Sequence, residues 1–131
     1  MSTYESRIAT LLTSASIPFQ REYTFPDLKG LNGHAYRFDF ATFSPFGDIA
    51  YLIECQGEQH YSPIVKFGGE QGLAATQYRD MRKIRYCYEH YIPLILIPYT
   101  ALSNLTLKDI TLNSDYLVSR ERYKQLLSIE E

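Results

Sequence analysis

At 131 residues the chain is long enough for one domain with its own core and too short for two. Apolar residues make up 45% and charged residues 21%, an ordinary globular mix, and no apolar run nears the roughly 18 residues that span a bilayer. Thirteen basic against fifteen acidic side chains give a net charge of -2, which argues against holding nucleic acid by bulk positive charge, for which a pI above roughly 9 is the guide.

The start, Met1-Ser2-Thr3-Tyr4-Glu5, has neither a basic region nor an apolar h-region, so no signal peptide is expected. Two cysteines, Cys55 and Cys87, without a CxxC, suit a reducing cytoplasm better than a disulfide scaffold or a structural zinc site.

In chain order, residues 3–16 read as a helix, with Ser2 and Glu5 at capping-box spacing and Ile8, Leu11, Leu12 and Ala15 at helical intervals. Residues 21–25 read as a short strand and 26–33 as a turn rich in Pro, Gly and Asn. Residues 34–43 are a strand with Tyr36, Phe38 and Phe40 on its even positions and Arg37 and Asp39 on its odd ones. A hairpin turn leads to 49–56, a strand apolar enough to lie centrally in a sheet. A loop over 57–69, a long helix over 70–90, a short buried strand over 93–98 and a second short helix near 115–128 complete the chain. The order α-β-β-β-α-β plus an extension predicts an α/β chain, an α+β type of mixed sheet with helices on its faces. One domain over 1–131 is expected, with a core of about 3–99 and a helical extension of about 100–131.

Asp39 and Glu54 sit near the ends of two strands joined by a short turn. Two acids on neighbouring strand ends can share a hard divalent cation such as Mg2+, or each can be a solvated strand residue. Gln56 projects to the same face as Glu54, with Cys55 on the other. There it can position a water or a phosphate oxygen, or simply close the strand end. His60 follows the strand after a glycine, in reach of general-base work or of a phosphate. Asp80 lies mid-helix on the stripe of Leu73, Ile84 and Cys87, where an acid is costly unless paired or ligated. Arg37 or another buried base is the structural alternative as its partner. Glu5 is explained by the capping box, yet shares a face with Ile8, Leu12 and Ala15. Arg79, Arg82, Lys83 and Arg85 form the only basic cluster. The first three are expected on the helix side opposite Asp80, as a solvated face or as a phosphate-contacting stripe. Lys66, in a glycine-bearing loop, can approach a nucleic-acid backbone. Tyrosines 78, 86, 88, 91 and 99 are expected in the core rather than stacking on bases.

The run RFDF, then YLIECQGEQHY, FGGEQGLAATQYRDMRKIRYC and PLILIPY resembles the PD-(D/E)XK nuclease superfamily. Within it, the chain looks like the branch of very-short-patch repair endonucleases and phage-associated EDxHD homing endonucleases. The resemblance spans roughly residues 3–99. It implies a restriction-endonuclease-like αβββαβ core and Mg2+-dependent hydrolysis of DNA phosphodiesters, with Mn2+ as a substitute. It assigns catalytic positions to Glu5, Asp39, Glu54, Gln56, His60 and Asp80. Asp39 and Glu54 would hold the metal, with the main-chain carbonyl near Cys55 as an extra ligand. His60 would activate the water or stabilise charge on the phosphate. Asp80 would orient His60 or bind a second metal, and Glu5 would support an outer-shell or second-metal site. Lys66, Arg79, Arg82 and Lys83 would contact nucleic acid. The implied partner is DNA, in a bacterial or phage-infected cytoplasm, with no membrane and no small-molecule cofactor.

Two departures matter. The superfamily's usual lysine is Gln56 here, which carries no charge, so water activation shifts to His60 or a second metal. About 30 residues after the core leave little room for a separate recognition region. A nicking or structure-directed nuclease, or a catalytic domain that forms a homodimer, suits that length. The alternative is a catalytically inactive nuclease-fold module that binds DNA or protein. Setting Glu5, Asp39, Glu54 and Asp80 aside as site residues leaves 11 acids against 13 bases.

Overall fold

A computed structural model describes residues 3–57 and 68–129. Three strands follow helix α1 (Thr3–Ser14): β1 (Phe19–Lys29), β2 (Ala35–Phe43) and β3 (Ile49–Gln56). Helix α2 (Gly69–Glu89) then leads to β4 (Leu94–Pro98), two 3-10 turns and helix α3 (Arg120–Leu127). The strands form one mixed sheet in the order β1-β2-β3-β4, antiparallel except for the parallel pair β3/β4. The chain is therefore mixed α/β, as its periodicity indicates. Among the described residues, no helix is long and apolar enough to cross a membrane.

Alternation in the two central strands feeds two cores. On the α1 side, Ile53, Cys55, Ile95 and Ile97 pack with Ile8 and Leu12. On the α2 side, Leu52 and Leu94 pack with Ile84 and Cys87 of α2 and with Tyr123 and Leu127 of α3. A strand buried on both faces needs a near-continuous apolar run, which YLIEC supplies. The extension closes the free edge of β4. Leu96 N–H donates to the Tyr116 carbonyl at 3.1 Å and Val118 N–H to the Leu94 carbonyl at 2.9 Å. Tyr51 anchors the same extension through its hydroxyl, which donates to the Ile110 carbonyl at 2.7 Å.

Three sequence expectations change. Strand β1 runs to Lys29 rather than Phe25, carrying Pro26 and a register shift between Thr24 and Lys29. An edge strand tolerates a proline because its outer N–H groups need no ladder partner. The even positions of β2 do not share a face: Phe38 belongs to the α2-side core and Phe40 to the α1-side core. The switch falls on Asp39. On β1 the intervening residue between the partners Arg21 and Tyr23 is Glu22, whose φ of 51° is left-handed. Finally, the last helix is shorter than expected, because Ser119 caps it by accepting from Arg122 N–H. The expected Ser2 cap of α1 lies outside the described residues.

Candidate metal and nucleic-acid site

The site arises where the sheet forks. The β2/β3 register runs from Phe43↔Ile49 to Phe40↔Ile53. Beyond it, β2 continues with β1 to Ala35, while β3 continues with β4 to Gln56. At the fork, carboxylates take over from backbone carbonyls as acceptors. Asp39 N–H donates to Glu54 Oε1 at 2.8 Å, and Cys55 N–H donates to Asp39 Oδ2 at 2.7 Å. Each acid thus receives the other strand's amide, which meets the demand that buried amides be paired. The exchange also brings the two carboxylates together.

Lys83 completes the cluster. Its Nζ donates to Glu54 Oε2 at 2.6 Å, with the Phe38 ring centroid 5.2 Å away. Lys83 is 8% exposed and Glu54 5%, so the pair is buried. This corrects the expected orientation of Lys83: it does not lie on the outer basic face. Spacings of three and four residues stack on one side of a helix, so Asp80, Lys83, Ile84 and Cys87 form the inward stripe.

Burial pushes the Glu54 carboxyl from 4.5 up to about 7. The Lys83 ammonium pulls it back down, while the nearby Asp39 charge adds to the rise. Burial likewise raises the Cys55 thiol, helped by the charges of Asp39, Glu54 and Glu5. Glu5 therefore reaches this neighbourhood from the α1 side, where the Cys55 side chain packs.

Gln56 and Asp80 line a narrow crevice with Glu54 and Lys83 on the α2 face. Gln56 and Asp80 also line an adjoining cleft of about 710 Å³ between α2, β4 and the extension, together with Gln77, Tyr116 and Arg122. Arg37, the alternative partner for Asp80, instead pairs with Glu22 at 3.4 Å on the surface. Arg79 is exposed and donates to Thr76 Oγ1 at 3.3 Å. Arg82 is tied to the β1–β2 hairpin: it donates to the Lys29 carbonyl at 3.2 Å and lies 5.7 Å from the Tyr36 ring centroid. It is half-buried rather than part of an open basic face. His60 and Lys66 lie outside the described residues. Of the five tyrosines expected in the core, Tyr78, Tyr91 and Tyr99 are exposed, Tyr91 at 80%.

Among the described residues, no three His, Cys, Asp or Glu side chains converge as metal ligands. The donor chemistry nevertheless fits one class of ion. Mg2+ is commonly bound through one or two carboxylates, with water and phosphate oxygens filling the other positions. Asp39 and Glu54 supply two such hard donors side by side. The Cys55 thiol, soft and held protonated, does not suit that ion. Its carbonyl does, and it faces the Asp39 side, because the N–H and C=O of one strand residue point the same way.

No protein-family model matches this chain, and no curated protein or solved structure matches it either.

Proposed function

We propose that this chain is a Mg2+-dependent endodeoxyribonuclease, with Mn2+ able to substitute, whose site is built around Asp39, Glu54 and Lys83. The observation that carries this reading is the fork itself: two carboxylates from adjacent strands meet a buried ammonium from the facing helix. Asp39 and Glu54 are the residues that would hold the cation. When bound, it supplies Lewis-acid polarisation of a phosphodiester and a water of lowered pKa.

The chain's own groups do the rest. Lys83 offers the positive charge that Gln56 lacks at the position of the superfamily's lysine. In a site this buried, that charge acts strongly on an anionic phosphate. Gln56 and Asp80 also line the wider cleft next to it, where they are placed to orient a water or a substrate oxygen. Glu5 adds negative charge from the α1 side, which favours a cation near Cys55. His60 keeps the water-activating role that the resemblance implies.

Nicking of supercoiled plasmid in Mg2+ or Mn2+ tests this directly. The wild type converts the plasmid to open circle, and Asp39→Asn and His60→Ala lose most of that activity. Activity that survives Asp39→Asn, or no cleavage of any DNA form, rejects the proposal. Cleavage of RNA with DNA untouched rejects the assigned substrate.

A second reading rests on the 2.6 Å contact between Lys83 and Glu54. If that ion pair only neutralises a buried acid, the chain is an inactive binding module. Thermal melting with Mn2+ separates the two. A nuclease site gives a rise in Tm that disappears in Asp39→Asn, whereas a purely structural pair gives none.

A further inference from the structure

The Glu54–Lys83 pair is unevenly made. Among the described residues, Glu54 Oε2 is the single hydrogen-bond acceptor of the Lys83 ammonium, at 2.6 Å. An ammonium has three N–H donors, and buried donors are ordinarily filled. Lys83, 8% exposed, is thus tethered by one hydrogen bond at the end of a flexible stem, with the Phe38 ring centroid 5.2 Å away.

The two oxygens of Glu54 have different duties. Oε1 accepts the Asp39 amide and so belongs to the strand pairing. Oε2 accepts only Lys83 among the described residues. The oxygen that Glu54 can offer a divalent ion without loosening the fork is therefore Oε2, the atom the ammonium now holds. Two cations on one buried oxygen repel strongly, because little water lies between them to screen the charges.

Asp80 gives the ammonium a second place to go. It lies three positions before Lys83 on the inward stripe of α2, so the two side chains are neighbours. Asp80 lines the crevice with Lys83 and Glu54, and it also lines the adjoining cleft of about 710 Å³. An ammonium turned from Glu54 toward Asp80 stays beside a carboxylate and comes to face that cleft.

Resting on the metal reading of the fork, we propose that Lys83 is a displaceable counter-cation: it holds Glu54 Oε2 in the metal-free protein and turns toward Asp80 when a divalent ion binds. Metal loading and exposure of the ammonium are then one event. The unfilled donors of Lys83 reach the cleft only when the carboxylates carry their ion, so a substrate phosphate meets Lys83 after the cation is in place.

The test uses the full chain at pH 8 without DNA. In EDTA, the NMR spectrum of the lysine ammonium groups is expected to show Lys83 in slow exchange with water, displaced by the Phe38 ring. Mg2+ moves or removes that signal in step with occupancy. Mn2+ binding, followed by electron paramagnetic resonance, is expected to be about tenfold tighter in Lys83→Met. Asp80→Asn weakens Mn2+ binding in the wild-type background and leaves it unchanged in Lys83→Met. A Lys83 signal that stays in place at full Mg2+ occupancy overturns the inference, as does a Lys83→Met protein that binds Mn2+ no tighter. Equal weakening by Asp80→Asn in both backgrounds overturns it too, because Asp80 then acts on the ion itself. The wild-type spectrum needs no variant, so it decides the matter even if Lys83→Met, which strands Glu54 without its cation, fails to fold. A Mn2+ site with an unmoved Lys83 removes the inference alone. A wild type and a folded Lys83→Met that both bind no Mn2+ remove the metal reading, and the inference with it.

Discussion

Glu54 is the residue on which stability and chemistry meet. Below pH 4.5 its carboxyl is protonated in the folded and unfolded chains alike. Between about 4.5 and 7 the unfolded chain gives up this proton while the folded chain retains it. The contribution of Glu54 to stability is therefore full at the acid end. It falls away as pH rises through about 7. Urea unfolding in EDTA at pH 5 and pH 8 checks this. The drop should be clear in the wild type and much reduced in Glu54→Gln. Parallel pH dependences in the two proteins would exclude burial as the cause. At this scale the sequence was partly legible. Two acids inside apolar strands announce themselves, because an unpaired charge in a core is expensive. Lys83 did not, since it sits among three arginines and reads as one more member of a basic face. The signal was its spacing of three from Asp80 and four from Cys87.

The fork between β2 and β3 is the element that makes the site. Its hydrogen bonds run from amide to carboxylate, so the acids hold the two strands together where the backbone ladder ends. Asp39→Ala leaves Cys55 N–H without the acceptor it now has at 2.7 Å, at a cost of about 1–3 kcal/mol. Asp39→Asn keeps an oxygen acceptor there and should unfold within about 1 kcal/mol of wild type, yet lose the Mn2+-induced rise in Tm. Equal destabilisation by Ala and Asn would mean that the amide bond does not matter. The succession of the strands along the chain was readable from alternation and turns. The change of face at Asp39 was not, because period-2 reasoning assumes a regular strand. The left-handed Glu22 on the partner strand, invisible to composition, goes with that break.

Across the whole molecule, one sheet serves two cores, with a buried thiol in each: Cys55 on the α1 side and Cys87 on the α2 side. Burial raises both thiols above their ordinary range, so reactive thiolate is scarce in the folded state. Both should resist a thiol reagent in the native protein and become reactive together as urea is raised, because neither core can open without the shared strands. Mass spectrometry of partly labelled protein reads this out. Cys87 labelling long before Cys55 would show that the α2 layer opens by itself. The net charge of -2 also belongs to this scale. It is an average in which the fork's two carboxylates share one buried ammonium and Arg37 of β2 is already paired with Glu22 of β1.

The sequence by itself determined the order of the elements, the central position of β3 and the two strand acids, because periodicity and buried charge are local signals. The tertiary structure decided which charge meets which. Glu54 lies 15 residues from Asp39 and 29 from Lys83, and those meetings depend on strand register and on how α2 lies across the sheet. It also decided that the β1–β2 hairpin outruns β3 and packs on α2 through Leu28 and Phe38. Register and helix placement are set by packing of the two cores as a whole, so no window of sequence contains them.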